Sequence, residues 1–234
     1  MTPIPPGRSL RQKKLRIHCI PSQIVCDILQ PEGVTFIYRT DNPVPTLIDY
    51  AAVLQTLAPW LGCVYPNSGA FGIPPGIPNH ILGWSASDDS TIRPEARAAL
   101  RIVPAPASRT LAGLLARAWQ EQLPGPLWLM PASHWAYELQ FGSPDWLPAL
   151  LTDIGIDPDE LRPRTDGSAI QFEPAEQEAL HPLIEKLFDK LIASDFTIAF
   201  PGQPVVALLH HHQQIWWQTS DQILHKSLNS LLVV

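Results

Sequence analysis

The chain has 234 residues, 45% of them hydrophobic and 16% charged, which supplies apolar surface for one or two packed domains. Its 26 prolines, about 11% of the chain against a ~5% background, argue against coiled coils and all-helical bundles. Eight Trp, seven Phe and four Tyr exclude full-length disorder, and no apolar run approaches the ~20 residues that span a bilayer.

Charge is distributed unevenly. Five of the 16 basic residues (Arg8, Arg11, Lys13, Lys14 and Arg16) precede the first acid, Asp27. Residues 1–16 therefore read as a basic flexible tail and 17–234 as an α+β domain. The other 11 basic residues face 22 acids, and so acidic a body repels polyphosphate; no nucleic-acid partner is expected. Residues 15–29 contain Arg16, His18, Pro21 and Asp27, too polar for the core of a secretory signal. Cys19, Cys26 and Cys63 cannot all pair and show no C-x-x-C spacing. Their apolar neighbours suggest small buried hydrophobes, and a reducing cytoplasm suits them.

Along the chain, 34–39 is β-branched and aromatic and spells a strand. A helix follows from about 47 to 61. Thr46 and Asp49 stand at capping-box spacing, Gly62 is a left-handed stop, and Leu47, Ala51, Leu54, Ala58 and Leu61 form its core face. Pro66, Gly69, Gly72, Pro74, Pro75, Gly76 and Pro78 make 63–84 a long loop, the kind that covers binding sites. A phosphate cradle is excluded there, because proline removes backbone donors and no glycine fingerprint matches. A short helix from Pro94 and an extended 100–103 come next. Ser108 then caps a helix with Leu111, Leu114, Leu115 and Ala118 on one face. Residues 123–126, Leu-Pro-Gly-Pro, mark either a division between two subdomains or a plain helix-to-strand loop.

The second half is more regular. Residues 127–130 and 135–141 read as strands. Ser143, Pro144 and Asp145 start a helix that ends near Gly155, and 157–160 repeats the signal. Leu180, Leu183, Ile184, Leu187, Phe188, Leu191 and Ile192 stripe 174–193, with Pro182 as an interruption. Residues 196–200 and 205–210 form a hairpin and 215–218 a third strand. Thr219 and Gln222 then cap a C-terminal helix. Runs of strands with helices between them predict an α+β fold: a mainly antiparallel sheet with helices packed on one face.

Chemistry-bearing groups are few. On a strand, His210 and His212 share a face and His211 points away. His210 and His212 are therefore the candidate ligands for a divalent metal, with His18, His134, Glu138 or His225 as the third. Gly83-Trp84-Ser85-Ala86-Ser87 approximates a nucleophile elbow, but Ser87 replaces the closing glycine, and serine hydrolysis is set aside. Arg93, Arg97 and Arg101 at i, i+4, i+8 would share a helical face. They would bind an anion or pair with 138–195, which holds 13 acids against four bases. Trp216 and Trp217 cannot both face one core from a strand. One must meet a second layer, a ligand or a partner.

The leading expectation is a non-catalytic binding or regulatory protein acting on a protein partner, without a resident cofactor. A metal-dependent hydrolase built on His210 and His212 is the first alternative. A small-ligand module closed by 63–84 is the second. Neither a membrane nor a nucleic acid is an expected partner, and no pattern specifies an oligomer.

Overall fold

The computed structural model describes residues 44–87 and 97–232, and the backbone of 19–20 and 23–24. The expected strand at 34–39, the helix start at Pro94, and Arg93 lie outside the described residues. The chain divides into two compact units, Met1–Asn42 and Pro43–Val234. In the first, β1 (Cys19–Ile20) pairs antiparallel with β2 (Gln23–Ile24).

The second unit is built on an eight-stranded sheet. In chain order its strands are β3 (Thr46–Ile48), β6 (His80–Ser85), β7 (Leu100–Ile102), β8 (Leu127–Pro131), β9 (Ala169–Phe172), β10 (Phe196–Ala199), β11 (Val205–His210) and β12 (Gln214–Thr219). Their spatial order is β3-β9-β8-β10-β11-β12-β6-β7. All neighbours are antiparallel except β6 and β7. A separate two-stranded ribbon joins β4 (Gly62–Cys63) to β5 (Phe71–Gly72). The α+β expectation with a mainly antiparallel sheet is met.

Side-chain alternation gives the sheet two apolar faces. Leu127, Leu129, Ile198, Ala207, Ile215 and Trp217 belong to the larger core. That core is completed by α2 (Ala107–Gln122), α6 (Gln177–Lys190) and α7 (Gln222–Ser230). Along α6 the buried stripe Leu180, Leu183, Ile184, Leu187 and Phe188 follows the helical period, each residue contributing about 1.5–3 kcal/mol before chain entropy. The opposite face carries Trp128, Met130, Ala199 and Val206. It is covered by Val53 and Leu57 of α1 (Tyr50–Leu57), with Leu61 and Phe71.

Several local expectations need correction. Residues 46–48 form β3, so the first helix starts only at Tyr50, and its buried residues are Val53 and Leu57, with Leu54, Ala51 and Ala58 exposed. Gly62 lies in β4, and Ala58 closes the helix. Pro106, not Ser108, precedes α2. Residues 135–141 are helical: α3 (Trp135–Tyr137) runs into a π-helical turn, Glu138–Gly142. The next helix, α4 (Leu147–Asp153), starts after Trp146 rather than Ser143, while Asp157 caps α5 (Pro158–Leu161) as expected. Ile192 is 84% exposed, outside the stripe it would have extended. Asp221, not Thr219, caps α7, accepting from the Ile223 and Leu224 amides at 2.7 and 3.2 Å. Cys63 is exposed, its thiol donating to the Tyr65 carbonyl at 2.7 Å. Residues 123–126 connect α2 to β8 within the second unit.

Candidate functional site

Two neighbouring features share one carboxylate, Asp195. β11 stays extended through His210, and the chain then turns over 211–213, where Gln213 has a φ of 56°. That left-handed residue closes the β11–β12 hairpin and ends strand alternation. All three rings gather as a result. Centroids are 4.2 Å apart for His210 and His211, 4.4 Å for His211 and His212, and 5.0 Å for His210 and His212. One ligand-capable nitrogen from each lies within 4.8 Å of the others. The expectation that His211 points away is therefore overturned.

Asp195 lies against this cluster. Its Oδ1 accepts from the His211 backbone N–H at 3.1 Å and meets His211 Nδ1 at 2.9 Å, with His210 Nδ1 at 4.0 Å. An ionised carboxylate only accepts, so in this contact His211 donates through Nδ1–H. Among the described residues, none of the expected third ligands belongs to this cluster. His134 Nδ1 accepts from the Tyr137 amide at 3.1 Å. His225 packs 5.6 Å from His80 with its Nε2 3.2 Å from the Ile81 carbonyl. His18 lies outside the described residues.

On its other side Asp195 lines an open pocket of about 370 Å³ with Tyr65, Ser68, Ser133, Tyr137, Glu138 and Ser194. Adjacent strands create it. The chain leaves β8 at Pro131 and enters β10 at Phe196, and the Ala132 amide donates to the Asp195 carbonyl at 2.8 Å, clamping the two segments. The π-helical turn then carries Glu138 back beneath them; such turns recur at functional sites. Residues 63–84, expected to cover a site, supply Tyr65 and Ser68 to the wall.

Glu138 is 1% exposed. Ser133 donates to its Oε1 at 2.7 Å, while Oε2 has no partner of hydrogen-bonding geometry. Burial pushes this carboxyl above its ordinary range; the Ser133 and Ser194 hydroxyls oppose that, and the neighbouring Asp195 charge adds to it. Gly142 closes the turn against this carboxylate, and a Cβ there would overlap Glu138 Oε2. Two aromatic residues line the pocket, Tyr65 at 65% and Tyr137 at 42% exposure, and Phe141 packs on Tyr137 at 6.0 Å.

The remaining candidates separate. Trp217 is fully buried, stacked on Phe200 at 6.1 Å and edge-on to Trp84 at 5.4 Å. Trp216 takes the opposite face, over Gly83, its indole N–H donating to Gln214 Oε1 at 2.8 Å. The alternation argument holds, and Trp216 alone of the pair keeps exposed surface. Arg97 and Arg101 share no helix. A turn at 98–99 separates them, and Arg101 on β7 donates to the Leu100 and Ala98 carbonyls at 2.9 and 3.3 Å. Ser85 is buried and bonds to the Ser87 carbonyl at 2.7 Å, which leaves it no role as a surface nucleophile.

Ser133, Glu138, Ser194 and Asp195 carry no spacing signature. The β8–β10 pairing and the π-helical turn together bring them into one place. Comparisons with family models, curated proteins and solved structures give no match. Fold and site together define an α+β protein with an acid-lined, aromatic-rimmed pocket beside a histidine cluster.

Proposed function

We propose that this chain is a binding protein whose pocket receives a Lys or Arg side chain presented by a protein partner. The observation that carries this reading is the pairing of a carboxylate floor with an exposed aromatic rim. Glu138 and Asp195 bring two carboxyl groups to the pocket wall, which a guanidinium or ammonium would complement. Tyr65 and Tyr137 offer rigid rings to the aliphatic stem and to the cation itself. Exposed aromatics around a desolvated polar centre have the composition of interface hot spots. The charge balance of the chain agrees, since an acidic body attracts a basic partner over distance.

Selection of random displayed heptapeptides on the full chain tests the proposal. Lys or Arg flanked by apolar residues should be enriched. Glu138→Gln and Tyr137→Ala should each weaken a selected peptide about tenfold or more, the scale of a hot-spot truncation. Selected peptides without a basic residue, or equal binding by both variants, would sink the idea.

A further inference from the structure

We infer that His210, His211 and His212 form a tri-histidine site for a divalent cation of the zinc class, with Asp195 as its positioning residue. This rests on the hairpin and not on the pocket's proposed ligand. Three consecutive histidines on a regular strand would send one ring to the other face. Here the strand stops at His210 and the turn through Gln213 gathers all three. Tetrahedral zinc at ~2.0–2.1 Å from each nitrogen sets the nitrogens roughly 3.4 Å apart. Starting within 4.8 Å of one another, they reach that spacing by side-chain rotation.

Asp195 distinguishes the cluster from a flexible surface triplet. Its carboxylate holds His211 by both ring Nδ1 and backbone N–H, and a ring anchored through Nδ1–H would ligate through Nε2. A carboxylate behind a ligating imidazole also raises ligand basicity and adds negative charge near the cation. The class of cation follows from the donors. Imidazole nitrogens suit zinc, nickel and copper, whereas magnesium and calcium require oxygen ligands. His212 is exposed and His210 and His211 are half-buried, so the cation has a path in from solvent.

Chelator-treated full chain titrated with zinc sulfate in a calorimeter should take up one equivalent and no magnesium. Asp195→Asn should weaken zinc binding about 10–100-fold, the scale of losing a carboxylate behind a ligand. His212→Ala, at an exposed turn position that the fold tolerates, should weaken it at least tenfold. His225→Ala, in the separate His80 pair, should bind as the native chain does. Circular dichroism of each variant establishes that it is folded, and if Asp195→Asn is not, the His212→Ala titration alone decides. Absence of stoichiometric uptake overturns the inference. So does a folded Asp195→Asn that binds zinc like the native chain, because a flexible triplet would not sense that carboxylate.

Discussion

Glu138 occupies the position where burial and charge conflict most sharply. Ser133 and Ser194 favour its ionised form, but desolvation and the nearby Asp195 outweigh them and raise its pKa above the ordinary 4.5. The folded chain then holds a proton over a pH range in which the unfolded chain has released it. Stability from this group is complete below 4.5 and is lost as pH rises through the raised value. Glu138→Gln removes that dependence. Its unfolding free energy relative to the native chain should therefore rise between about pH 4 and pH 8, as measured by urea denaturation. Glu176, also raised by burial, titrates alike in both proteins and drops out of the difference. A flat difference would show that Glu138 is not desolvated. In the sequence Glu138 is only one of four candidate third metal ligands, and no motif singles out Asp195. Glu138 lies in a segment patterned like a strand and buried by a π-helical turn, and Asp195 is 16 residues from its partner His211.

At the scale of elements, the β11–β12 hairpin explains the most. It places Trp217 in the large core and Trp216 on the other face, where the indole covers Gly83 so closely that any Cβ there would strike it. Burial separates the two residues in energy. Trp217→Ala should cost about 3–5 kcal/mol in urea unfolding, because it empties a site between Trp84 and Phe200. Trp216→Ala should cost clearly less, since its ring is only half-buried. Equal losses would mean that the hairpin register is wrong. Strand alternation made the divergence legible from sequence, and the period of α6 did the same for its stripe. The helix starts were less legible. Ser108, Ser143 and Thr219 have the chemistry of caps, but where each helix begins is set by the strands and turns that hold its ends.

For the whole molecule, both described apolar clusters are built from residues within Pro43–Val234, one on each face of the sheet. A chain beginning at Pro43 carries both clusters and should unfold in one cooperative urea transition. A broad transition would mean that the two clusters unfold separately. No described helix is long and apolar enough to cross a membrane.

By itself, length, composition and charge determined that the chain folds, that prolines punctuate it, and that its body is acidic. The sequence periods determined an α+β architecture with β11, β12 and α6 close to their observed places. These are local properties, fixed by the alternation of a strand or the turn of a helix. Only the tertiary structure decided where chemistry could occur. Pairing β8 with β10 sets Ser133 and Glu138 opposite Ser194 and Asp195, and the turn after His210 draws His211 to the same carboxylate. Both outcomes depend on contacts between residues distant in the chain, and no spacing along it encodes them.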